Sequence, residues 1–171
     1  MLGKLLSLVA LAATALADGA AIVAAMDHIA ADTVKLNDTV AAWPGDFLGA
    51  LPITVESVSL LKGINDAKTV ASESANLTFT EAIQIAQSTL ALASSVNSTL
   101  ETIIAAKHKF DHLLLSPIIL VNLELEKKAT DEFSGELIAK VPEVLQSTAK
   151  TLVLQIDTSF DKAIGVYNPF D

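Results

Sequence analysis

The pentapeptide HKFDH, residues 108–112, concentrates more potential chemistry than any other stretch of this chain. His108 and His112 are four apart, the spacing with which a helix turns two histidines toward one zinc ion. Such a site needs a third ligand from elsewhere. The chain has one other histidine, His28, and no glutamate follows His108 as the metalloprotease pattern requires. Pro117 disfavours helix at Ser116, so the third helix is expected to fray soon after Phe110, leaving the histidines at a polar joint. Nucleophilic catalysis has no better footing. Cysteine is absent, and no G-x-S-x-G turn strains a serine into reach. Glu124 and Glu126 lie two apart and diverge on a helix. The expectation is a non-enzymatic protein with no metal and no cofactor. HKFDH then marks a boundary, and its histidines keep one role, loosening that corner in mild acid.

The neighbouring run LLLSPIILV, residues 113–121, is apolar where connections are normally hydrated. It is either core or a hydrophobic lip. Leu113, Leu114, Leu115 and Ile118 are the candidates for surface adsorption or for the mouth of a lipid site.

The elements that must position these residues are helices. Apolar residues recur at three- and four-residue spacing between well-separated breakers, and no strand pattern competes. Five helices are predicted. The first covers about 19–42, with Ile22, Met26, Ile29, Thr33, Leu36 and Val40 as its stripe, and WPGDF ends it. The second covers about 51–72, with Gly63 and the polar INDAK stretch weakening it toward a bend or a break. The third opens on the capping box Thr78-Phe79-Thr80-Glu81 and runs through Ile83, Ala86, Leu90, Ala93, Val96 and Leu100. The fourth opens with Ser116 as its cap and Pro117 in its first turn, and Ile118, Val121, Leu125, Ala129 and Phe133 face inward. The fifth starts at Pro142 and runs through Leu145, Ala149, Leu152, Ile156, Phe160, Ala163 and Tyr167. The fold class is all-α, an antiparallel bundle of about five amphipathic helices. Its alanine-rich stripes can enclose an elongated apolar cavity. If the bundle is hollow, Ile29, Leu90, Val121, Leu125, Leu152 and Ile156 line it. Thr33, Ser88, Thr89 and Thr148 stand near the stripes as partners for a carboxylate head, with Lys107 as a counter-charge.

Composition sets the surroundings. Twenty acidic residues face 11 basic ones, all lysine, for a net charge of −9. Without arginine, phosphate backbones are repelled rather than recognised, which excludes nucleic acid. Residues 1–17 read as a secretory signal: Lys4, an apolar run, then Ala15-Leu16-Ala17 before Asp18. Residues 18–171 form one domain, with no later apolar run of membrane-spanning length. Asn37, Asn76 and Asn97 each begin an N-glycosylation tripeptide.

Certain stretches carry a family likeness: Lys107-x-x-Phe110 ahead of Leu115-Ser116-Pro117-Ile118, then Leu137-Ile138-Ala139-Lys140 with Pro142, then Ile156-Asp157-x-x-Phe160 through Tyr167. With the opening helix AAIVAAMDHIAADTVKLNDTVAAW, they resemble the fungal hydrophobic surface-binding protein A family, which includes cell-wall galactomannoproteins. The resemblance implies a helical, secreted or wall-associated protein without catalytic activity. It implies one of two roles: holding a fatty acid between the helices, or adsorbing to hydrophobic surfaces and recruiting a secreted hydrolase. The chain shows no Ser/Thr-rich stalk and no apolar C-terminal tail. That favours a released form over stable wall attachment.

Overall fold

A computed structural model describes residues 2–169, with side chains from Asp18 onward. The expected secretory leader falls on residues 1–17 and so lies outside the described side chains. Six helices follow one another: α1 (Leu2–Ala42), α2 (Ala50–Glu73), α3 (Phe79–Ala105), α4 (Lys107–His112), α5 (Ser116–Lys140) and α6 (Glu143–Tyr167). Among the described residues none of them is long and apolar enough to cross a membrane.

The five long helices close a ring in the order α1, α2, α5, α6, α3, each packed on two neighbours. Hydrogen bonds fix the directions. Asp32 meets Ser59 and Asp18 meets the Ala75 amide, so α1 and α2 are antiparallel. Ser57 meets Glu126 and Lys140 reaches the Ser72 and Ser74 carbonyls, so α2 and α5 run side by side in one direction. Asn97 with Ser159 and Ile103 with Tyr167 align α3 with α6. A five-membered ring leaves its axis lined by every helix, where a four-helix bundle would close.

Local chemistry explains the ends. The Thr78 hydroxyl accepts from the Glu81 amide at 3.3 Å, and the Glu81 carboxylate accepts from the Thr78 amide at 2.8 Å, completing the capping box. Gly49 caps α2 because a Cβ there would stand 2.7 Å from Trp43 Cδ1. Gly63 does not break α2, which is continuous from Ala50 to Glu73; it faces His28 and Asp32 of α1. Ser116 is not a cap but the first residue of α5, and its hydroxyl donates to Asp111 instead.

The stripe of α1 is buried as read: Ile22, Met26, Ile29, Thr33, Leu36 and Val40. Thr33 fits because its hydroxyl donates to the Ile29 carbonyl at 2.7 Å. The α5 stripe is displaced. Leu123, Glu126, Ala129, Phe133, Ser134 and Leu137 are buried, whereas Ile118, Val121 and Leu125 are exposed. The early α3 stripe is displaced too: Ala82, Ile85, Thr89 and Leu92 are buried, and Ile83 and Leu90 are about half exposed.

Candidate functional site

Three apolar spaces follow one another along the ring. The largest, about 260 Å³, lies where α3, α5 and α6 diverge at the end carrying the α5–α6 turn. Ile85, Ala86 and Leu92 of α3, Phe133 and Leu137 of α5, and Ala149 and Leu152 of α6 line it. Ile83, Gln87, Leu90 and Thr148, all exposed, form its rim. A second space of about 30 Å³ sits at the ring's centre and shares Leu92, Thr130, Phe133 and Ile156 with the first. A third, also about 30 Å³, continues toward α4 and shares Leu36, Ile103 and Glu126 with the second.

The sequence candidates divide accordingly. Leu90, Thr148, Leu152 and Ile156 border the large space, and Ile29, Thr33 and again Ile156 border the central one. Val121 and Leu125 border none of the three and stand 52% and 45% exposed on the outside of α5. Their assignment to a cavity is corrected by the helix register. The buried face of α5 turns about Leu123, Glu126, Thr130 and Phe133, nearly opposite Val121. Thr33 and Thr89 spend their hydroxyl protons on the carbonyls of Ile29 and Ile85, which leaves no proton for a carboxylate head. Ser88 borders none of the spaces. Lys107 is ion-paired with Asp111 at 2.7 Å and stands over the Tyr167 ring at the far end of the bundle.

Glu126 escaped the sequence reading. It is 4% exposed and lines both small spaces. The Ser57 hydroxyl donates to its Oε1 at 2.7 Å. Burial pushes its carboxyl up to about 7, and the Ser57 bond opposes that shift. The signal was present in the spacing, since Leu123, Glu126, Thr130 and Phe133 step by three and four.

HKFDH forms most of α4, a helix of its own after α3 ends at Ala105. Both histidines therefore lie on one short helix, and both are exposed. His28 lies on α1 beside Asp32, at 3.5 Å. Among the described residues no group of three or more His, Asp or Glu stands close enough to hold a metal ion. The residue that anchors this corner is Phe110, 1% exposed, with its ring 4.5 Å from Trp43 and 6.3 Å from Tyr167. Leu113 and Leu115 pack on the core. Leu114, with φ +59, and Ile118 turn outward at 84% and 51% exposure. Leu114 borders a surface groove of about 460 Å³ with Pro117, Leu120 and Val166. That groove shares no residue with the 260 Å³ space, so this run is not its mouth.

The outer seam of α2 and α5 is unusually apolar. Leu51, Val55 and Val58 are exposed on α2, as are Ile118, Val121 and Leu125 on α5. The Ser57–Glu126 bond sets Val58 and Leu125 at the same level of the two helices. Of the glycosylation candidates, Asn76 is exposed in the α2–α3 connection. Asn97 is exposed on α3 and accepts from Ser159, while Asn37 is half-buried and accepts from the Thr102 hydroxyl.

Fold and site together define a class: a single ring of helices around an elongated apolar interior. The chain matches the family Hydrophobic surface binding protein A over residues 19–139, and it belongs to that family. It is 28% identical over 121 residues to Cell wall mannoprotein 1 of Aspergillus flavus; the match covers 70% of this chain and 44% of that protein, less than half the relative's length. The crystal structure of AFMP4P in complex with palmitic acid superimposes with a TM-score of 0.85 at 24% identity, covering 88% of this chain and 99% of that one. Ligand binding domain 1 of the Penicillium marneffei MP1 protein, complexed with arachidonic acids, gives 0.81 at 18% identity over 84% and 94% of the two chains. At these identities the likeness is one of fold.

Proposed function

We propose that this chain is a secreted, non-enzymatic carrier that takes the alkyl chain of a fatty acid or similar lipid into the space between α3, α5 and α6. One observation carries the reading: an apolar space of about 260 Å³ with an exposed rim. Ligand sites run from about 300 Å³ upward, so an alkyl chain needs this space and a modest widening at its exposed rim. The fatty acids in the two solved relatives support the same ligand class.

The α2–α5 seam favours a second reading, adsorption to hydrophobic surfaces that brings a secreted hydrolase to an insoluble substrate. Contiguous exposed aliphatic residues mark interaction surfaces, and the family's name states hydrophobic surface binding.

Two variants separate the readings. Ala149→Trp fills the space between the helices, and Val58→Asp breaks the seam. The first is expected to weaken displacement of a fluorescent fatty acid about tenfold or more, roughly 1.4 kcal/mol, and to leave depletion over hydrophobic beads unchanged. The second is expected to do the reverse. Unchanged fatty-acid displacement by Ala149→Trp would overturn the carrier reading, and unchanged bead depletion by Val58→Asp the adsorption one.

A further inference from the structure

The interior of the ring is unequal in its polarity. The 260 Å³ space has no charged residue in its lining, while the central space of about 30 Å³ is bordered by Thr33, Thr99, Thr130 and Glu126. About 30 Å³ accommodates a group the size of one or two water molecules. That is the size of a hydroxyl or carboxyl head and too small for an alkyl chain. The two spaces meet at Phe133 and Ile156, which line both.

The hydrogen bonding of the central space determines which heads it accepts. Thr33 donates to the Ile29 carbonyl at 2.7 Å, Thr99 to the Ser95 carbonyl at 2.9 Å, and Thr130 to the Glu126 carbonyl at 2.8 Å. Each hydroxyl has spent its proton on backbone and presents only an acceptor inward. The Glu126 carboxyl accepts from Ser57 at Oε1. No other titratable side chain lines the central space or the one beyond it. Sharing these two spaces with Glu126 are Ser57 and Thr54 from α2, Thr33 and Leu36 from α1, Thr99 and Ile103 from α3, Asn122 from α5 and Phe160 from α6. The Asn122 amide borders only the space beyond, so within the central space any proton shared with a ligand head must come from the ligand or from Glu126 itself.

We propose that Glu126, steadied by Ser57, is the head-group subsite of the lipid cavity and selects hydrogen-bond donors, namely fatty alcohols and undissociated fatty acids. The proposal rests on the carrier reading above and adds to it the orientation and the chemical class of the head. With an alcohol, the ligand hydroxyl donates to the Glu126 carboxylate at any pH where that group is ionised. With a fatty acid, two carboxyls meet, and like charges in a buried space exclude each other. At least one proton stays between them, so acid binding takes up a proton as pH rises. An ester has no proton to offer.

The test measures binding of palmitic acid, cetyl alcohol and methyl palmitate to the full chain and to Glu126→Gln, at about pH 5 and about pH 9. The parent complex must keep one proton between the two carboxyls, whereas the glutamine amide can bind the ionised acid without one, so the two proteins differ in how ionisation of the acid weakens binding. The expected result is that palmitic acid loses about tenfold more affinity between the two pH values in the parent than in Glu126→Gln, whose amide can donate to a carboxylate. Cetyl alcohol binding should change less than about threefold with pH in the parent. Ser57→Ala provides an independent arm, should the glutamine variant fail to fold. Removing the donor that lowers Glu126 should move the weakening of palmitic acid to higher pH. Equal pH dependence in parent and Glu126→Gln, or an unmoved profile in Ser57→Ala, overturns the head-group assignment while lipid binding stands. If none of the three lipids binds the parent, the carrier reading fails and this inference falls with it.

Discussion

Glu126→Gln is expected to stabilise the protein by on the order of 3 kcal/mol at pH 8 and by almost nothing at pH 4. The carboxyl has an ordinary value of 4.5 and is pushed up to about 7 in the folded chain, first by burial, with Ser57 opposing. Below about pH 4.5 folded and unfolded chains both hold the proton, and the group costs nothing. Between about 4.5 and 7 the unfolded chain releases its proton while the folded chain keeps it. Stability then falls by about 1.4 kcal/mol per pH unit. Above about 7 both states are ionised and the loss persists. Glutamine has the same shape, still accepts from Ser57 and carries no charge to desolvate. Chemical denaturation of the two proteins at both pH values measures the difference. A gap that does not change with pH would mean that Glu126 is hydrated in the folded protein.

Phe110→Ala is expected to cost about 3–5 kcal/mol, the range for truncating a fully buried aromatic ring. Phe110 touches Trp43 and Tyr167, and so ties the end of α1 to the end of α6 through α4. The Tyr167 hydroxyl donates to the Ile103 carbonyl at 2.7 Å, and Lys109 donates to the Trp43 carbonyl. Removing the ring leaves a void among three elements that are pinned by those bonds and cannot collapse into it. Urea unfolding of the variant checks the size of the effect. A loss under about 1 kcal/mol would show that this end of the bundle is loosely packed. His108 and His112 flank this residue and face water.

What could be read from the residues followed from how strictly each helix obeys one rule. The α1 stripe is buried as expected, and so is the α6 stripe from Ile156 through Phe160 and Ala163 to Tyr167, because apolar residues hold three- and four-residue spacing there. In α5 the rule misleads. A core carboxylate at Glu126 interrupts the true stripe, while Ile118, Val121 and Leu125 form a cleaner apolar one that faces out. In α3 the alanines and threonines blur two adjacent faces. Ile83 and Leu90 therefore mark the rim of a cavity instead of the core. Hollowness itself is not a local property. It arises because five helices close a ring, and that depends on which helix neighbours which.

The central claim is that an alkyl chain enters between α3, α5 and α6. The most direct measurement is paramagnetic broadening of backbone amide signals by stearic acid carrying a nitroxide on its chain. Broadening should be strongest around residues 83–92, 133–141 and 145–156, which border that space. Broadening confined to residues 47–58 and 114–125, along the outer seam of α2 and α5, would contradict it and show that lipid meets this protein on its surface.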